Sequence, residues 1–312
     1  MEEFIREFSN ETIALLFGLS KYGIKSRAFM LMEHKKILEE IWLNDDKYKS
    51  YSVEHKQLIE ARTYVELIER TCQLIEDFCC YSFSLWSNVN EFPQRIVQQP
   101  NPKNILKKFD NDKWNTLLRY SDLNSLVITS DEKDLVFNIR KRNIEVLNNY
   151  LKIMGKFLDL YWKFYNKHKH GNPLIYGFNT FEIDGEPSIF IPAAYNSKKI
   201  FEMTGIIMNR SMYKKLIVLF GEIYKITGEI LDTTIKYIQR SGKLFILNAT
   251  YCKIYPEHQK IIDKIIKEYD SSTIFHNVEL IINVDRQEDK IKKHLDFYNN
   301  LNTRAFDDYQ IC

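Results

Sequence analysis

Apolar residues recur along most of this chain every three or four positions, the spacing of an amphipathic helix. Ile5, Phe8, Ile13, Leu15, Leu16 and Leu19 predict a first helix and Ala28 to Trp42 a second, with Gly23 as the break between them. The clearest pattern follows: Leu58, Ala61, Val65, Ile68, Cys72, Ile75 and Cys79 form one stripe of a long helix. Arg62, Glu66, Glu69, Gln73 and Glu76 make a second line, offset by one residue, so a polar row borders that core face. Asn90 to Lys103 holds Pro93, Pro100 and Pro102 with little periodicity and predicts a loop, before a short helix at Trp114 to Tyr120. From Asp131 to His170 the chain predicts one long helix or a broken pair, stopped by Gly171-Asn172-Pro173.

After that stop the texture changes. Pro173 to Phe181 and Ser188 to Pro192 predict extended segments joined by a turn at Ile183-Asp184-Gly185-Glu186-Pro187. A helix at about 212–240 carries the stripe Tyr213, Ile217, Phe220, Tyr224, Leu231, Ile235 and Ile238. Leu244 to Asn248 and Val278 to Val284 predict strands around a helix at Pro256 to Tyr269, and a charged helix at Gln287 to Leu301 ends the pattern. The expected fold is mainly α: an antiparallel helical bundle over residues 1–172, with a smaller α+β extension over 173–312 that can pack as one unit with it.

Composition supports a packed globule, with 45% hydrophobic and 14% aromatic residues and only 10 Gly and 7 Pro among 312. The 44 basic and 42 acidic residues leave a net charge of +2, so any nucleic-acid contact has to be local rather than a bulk field. Five cysteines without C-x-x-C pairing predict buried reduced thiols, not a disulfide framework or zinc site. The start Met1-Glu2-Glu3-Phe4 lacks the basic and apolar regions of a secretory leader, and no segment offers about 18 successive apolar residues, so neither export nor membrane insertion is expected and the expected location is cytoplasmic. His34, His55, His258, His276 and His294 stand apart, without an H-E-x-x-H pattern, and no P-loop, dinucleotide fingerprint or G-x-S-x-G elbow occurs. No metal and no cofactor are expected.

The chemistry concentrates at Tyr165-Asn166-Lys167-His168-Lys169-His170-Gly171. On a helical wheel Leu147, Tyr150, Leu151, Met154, Phe157, Leu158, Tyr161, Phe164, Tyr165 and His168 share one apolar arc, whereas Lys163, Asn166 and His170 lie on the opposite side within about 60 degrees of one another. Histidine suits proton transfer near neutral pH, because its unperturbed pKa is about 6.5.

Asn166, three intervening residues, His170 and Gly171 resemble the end of the R-N-x-x-x-H-G motif of HEPN domains (higher eukaryotes and prokaryotes nucleotide-binding). That resemblance covers the helical part of the chain and implies an antiparallel bundle, often dimeric. It also implies metal-independent RNA cleavage or RNA binding, as in toxins and bacterial antiphage systems, with a cognate antitoxin or defence protein as partner. His170 would move the proton at the ribose 2′-hydroxyl and Asn166 would orient it. Lys163, Tyr165, Lys167 and Lys169 would contact the substrate, with Arg62 and Glu66 as supporting groups. The family arginine is absent: Lys163 and Tyr165 occupy the ends of its allowed range. Lysine supplies charge without the bidentate fork of a guanidinium. The same residues also admit a second reading, a non-catalytic helical regulator or interaction protein in which Asn166 and His170 only cap a helix.

Overall fold

A computed structural model describes residues 10–86, 89, 92–98, 100–118, 130–169, 179–183, 185–196, 199–239, 245–247, 274–276, 284–300 and 309–310. Among the described residues four long helices dominate, α1 (Asn10–Trp42), α2 (Val53–Leu85), α6 (Ser130–Lys169) and α7 (Arg210–Gln239), and the short α-helices α3 (Phe92–Arg95), α4 (Pro102–Leu106) and α5 (Asn111–Leu117) lie between α2 and α6. The chain is mainly α with a small α+β part, as its periodicity predicts.

The first two expected helices are one. Gly18 and Gly23 both sit inside α1, because a single glycine costs a helix only about 1 kcal/mol, less than burial along α1 returns through Ile13, Phe17, Ile24, Leu31 and Leu38. α1 ends at a left-handed Asn44 (φ 54°), with Asn44 N–H donating to the Ile41 carbonyl and Asp45 N–H to that of Glu40, both at 3.1 Å. This is the Schellman arrangement with asparagine in the usual glycine place. The α2 stripe is buried from Ala61 to Cys79, whereas Leu58, near the start of the helix, is exposed. The proline-rich stretch folds into the short turns of α3 and α4, with Asn101 capping α4 and Pro102 in its first turn.

Contacts divide the chain into two units, and the divisions fall within the long helices. One unit comprises residues 1–24, 75–154 and 223–293. Its core includes Phe17 against Phe92 (ring centroids 4.0 Å apart) and an aromatic cluster of Phe78, Trp86, Phe109 and Trp114. It also holds the parallel pair β4 (Phe245–Leu247) and β5 (Ile274–His276). Of the expected Val278–Val284 strand only Val284 is described, as the first residue of α8 (Val284–Asn300); the rest of it, and the expected helix at 256–269, lie outside the described residues. Cys79 and Cys80 of this unit, like Cys72 of the other, form no disulfide among the described residues. Burial pushes Cys80 up to about 11, which keeps that thiol protonated near neutral pH.

The other unit comprises residues 25–74, 155–222 and 294–312. It contains an antiparallel sheet in the order β1-β2-β3-β6, from β1 (Asn179–Ile183), β2 (Glu186–Asn196), β3 (Lys199–Asn209) and β6 (Tyr309–Gln310). β1 and β2 form the expected hairpin, turning at Gly185 with φ +77°. β3 was not legible as a strand, although its Ile206-Ile207-Met208 run is buried beside Ile189-Phe190-Ile191 of β2. A side chain at Gly205 would place its Cβ 2.5 Å from the Phe190 ring and 2.7 Å from the Ile191 carbonyl, so only glycine allows this approach. β3 passes directly into α7. The Asn209 side chain accepts from Met212 N–H (2.9 Å) and Glu186 from Ser211 N–H (3.3 Å), which caps the helix and fixes the direction of Arg210, Tyr213 and Lys214.

Candidate functional site

The sequence motif lies at the last turn of α6. Every apolar member of the predicted arc from Leu147 to Tyr165 is buried, and Lys163 on the opposite side is exposed. Asn166 is half-buried one turn further on, and Lys169, the last residue of α6, is exposed with its ammonium 5.4 Å from the Tyr165 ring centroid. Tyr165 is therefore a core residue, 2% exposed and packed against Trp162, and it braces Lys169 instead of offering a free face to a substrate. Its position follows from the helical period, which puts it on the same arc as Tyr161 and Phe164. His170, Gly171 and the side chains of Lys167 and His168 lie outside the described residues.

The supporting pair is rearranged. Arg62 reaches Glu69 at 3.9 Å rather than Glu66. Glu66 is buried, at 5% exposure, and its two oxygens are taken separately: His34 Nδ1 of α1 lies 2.5 Å from Oε2, while Arg70 Nε and Nη2 donate to Oε1 at 3.4 and 3.3 Å. A buried carboxylate with nitrogen partners from two helices costs less to desolvate than one held alone. The contact also fixes which imidazole nitrogen faces the carboxylate, on a ring one-third exposed.

A second carboxylate on α2 organises the end of α1. Glu60 Oε1 accepts from Trp42 Nε1 (3.0 Å) and from the Tyr64 hydroxyl (2.5 Å), and Arg210 Nε stands 3.7 Å away. The Tyr213 ring packs edge-on to Trp42 and tilted against Tyr64, at centroid separations of 5.8 and 5.3 Å. Burial, then the Glu60 carboxylate, raises the Tyr64 phenol far above its ordinary value. Burial raises Tyr213 as well, with Glu39 and Glu66 adding to it, yet its hydroxyl has no hydrogen-bond partner among the described residues. Both phenols stay protonated at any physiological pH.

These two hydroxyls give a discriminating pair of substitutions. Tyr64→Phe should lower stability by about 1 kcal/mol, since it removes a donor from a mostly buried carboxylate. Tyr213→Phe should leave the denaturation midpoint unchanged or slightly raised, because no bond is lost and a buried unpaired hydroxyl is removed. Urea denaturation of the two variants checks this, and a larger loss for Tyr213→Phe would mean that its hydroxyl is partnered in solution.

His34, Arg70, Glu60, Trp42 and Tyr213 were not singled out by sequence as site residues. Arg70 had a local signal, being one helical turn from Glu66 on the polar line. His34 and Trp42 had none, since their partners lie on other helices. Comparisons with protein-family models, with curated proteins and with solved structures found no match to this chain.

Proposed function

We propose that the protein is a HEPN-like RNA-cleaving or RNA-binding protein, acting as a toxin or effector in bacterial defence and assembling with copies of itself and a cognate partner protein. The observation that carries this reading is the C-terminal turn of the 40-residue α6, where Asn166 stands between exposed Lys163 and Lys169 immediately before His170-Gly171. In the cleavage reaction the ribose 2′-oxygen attacks the adjacent phosphorus as its proton is withdrawn. The bond from phosphorus to the 5′-oxygen breaks, and that oxygen leaves as a hydroxyl once protonated. His170 serves proton transfer, Asn166 orients its ring, and Lys163 with Lys169 offsets phosphate charge. Arg70 is not a substitute for the missing family arginine, because its guanidinium is committed to Glu66 and Gln73.

Incubation of single-stranded RNA with the protein in excess chelator tests the reading. Fragments ending in 2′,3′-cyclic phosphate and 5′-hydroxyl are expected. Cleavage that requires a divalent cation, or binding and cleavage both absent, would reject it.

The reading as a helical interaction protein has its own supporting observation. α1 exposes Leu15, Leu19, Tyr22 and Phe29, each at least 60% accessible, a pattern that a lone amphipathic helix on a core does not need. Under that reading His170→Ala lowers thermal stability by about 1 kcal/mol, the scale of one hydrogen bond, and leaves RNA binding as it was.

A further inference from the structure

The start of α7 carries its charge against the helix dipole. Arg210, Lys214 and Lys215 lie in the first two turns, at the positive end, and the first turn contains no acidic residue. Helix stability alone favours the opposite placement. All three cations are exposed; Arg210 has an ion-pair partner in Glu60 at the long distance of 3.7 Å, and the Glu186 carboxylate accepts from Ser211 N–H at the same helix start.

Each cation also lies over an aromatic ring. The Arg210 guanidinium is 5.0 Å and the Lys214 ammonium 6.0 Å from the Trp42 ring centroid, and the Lys215 ammonium is 5.2 Å from that of Phe297 on α8. Both rings are partly exposed. Each is also braced from behind: Trp42 by its bond to Glu60 and the edge contact with Tyr213, and Phe297 by buried Tyr298 at 5.1 Å. Fixed, partly open rings beside exposed cations are the two components of a single-strand platform, because every base has a face to stack and every nucleotide a phosphate to neutralise.

We infer that Trp42, Arg210, Lys214, Lys215 and Phe297 form a binding surface for single-stranded RNA. Bases stack on Trp42 and Phe297, while the three cations move from the rings to the phosphates. This inference rests on the RNA reading above and adds where the strand is held, independently of the turn that ends α6. An acidic peptide would use the cations but has no planar group for the rings, so the rings favour nucleic acid.

The test is an anisotropy titration with a fluorescein-labelled oligouridylate of roughly 12 nucleotides, a length within reach of one such platform, at salt from about 50 to 200 mM. The full chain is used as wild type and with His170→Ala, so that the probe stays intact in one of them. Both should bind. On the His170→Ala background, Arg210→Gln/Lys214→Gln/Lys215→Gln should weaken binding by about tenfold or more and reduce the slope of log affinity against log salt by about two, at roughly 0.7 per lost phosphate contact. Trp42→Leu should weaken it by roughly tenfold, the loss of one stacked base. Arg210→Lys/Lys214→Arg/Lys215→Arg should keep the wild-type slope, which separates charge from folding. Unchanged affinity and slope in the glutamine variant would overturn the platform and leave the RNA reading standing. Failure of both parent chains to bind would remove both. Displacement of the RNA by an equal concentration of oligoglutamate would also overturn the platform, since charge alone would then explain the surface.

Discussion

Under the proposed RNA-cleaving function, His170→Ala is expected to slow cleavage roughly 10²- to 10⁴-fold, the range for losing a positioned proton-transfer group. The largest kinetic effect is placed here because His170 directly follows the last residue of α6 and falls, by helical period, on the face of Asn166 and Lys163. Single-turnover rates on a defined oligonucleotide measure it, with a thermal melt run in parallel. A rate equal to wild type would end the catalytic reading, and a lowered melting temperature with an unchanged rate would favour the capping role. Lys163 supplies a sharper control. Because lysine neutralises phosphate charge without a bidentate fork, Lys163→Arg should raise the cleavage rate, whereas Lys163→Gln should lower it. A structural cap at the end of α6 predicts neither change, since Lys163 is exposed.

Trp114→Ala is expected to have the largest effect on stability, about 3–5 kcal/mol, the usual range for truncating a fully buried aromatic side chain to alanine. Trp114 is fully buried, lies 4.7 Å from the Phe109 ring centroid and 6.2 Å from that of Phe78, and donates from Nε1 to Asn148 Oδ1 of α6 at 2.8 Å. Its helix α5 has seven residues, too few to persist in water without the packing that Trp114 supplies. Trp114→Phe should cost less, about 1–2 kcal/mol, because most of the ring contact remains and the loss is dominated by the unpaired Asn148 oxygen. Chemical denaturation followed by far-UV circular dichroism checks both. A loss below about 1 kcal/mol for Trp114→Ala would show that the aromatic cluster can close over the gap.

The two effects differ in how far they could be foreseen. The expectation at His170 comes from the residues alone, where a helix stop and a polar face occur within a few consecutive positions. The dependence of α5 on α6 was not legible there, since no local feature of Asn148 marks it as the acceptor for an indole of another helix. Glu66 shows the same division. Its helix and its place beside the buried stripe could be read directly, but Arg62, on the same polar row, reaches Glu69 while His34 and Arg70 take the carboxylate. Spacing on one helix says which pairs can meet, whereas the approach of a second helix decides which of them do.

Legible in the residues alone were the long helices α2, α6 and α7, the β1–β2 hairpin and the apolar arc of α6. These depend on period, turn residues and stop signals within a few positions, which local backbone geometry obeys. Only the tertiary structure decided that Gly23 lies within an unbroken α1, that Lys199–Asn209 is a strand, and that Trp42, Glu60 and Arg210 meet. The physical reason is common to all three. Burial against distant segments outweighs a weak local preference in the first two cases, and in the third it brings together groups whose positions along the chain carry no record of one another.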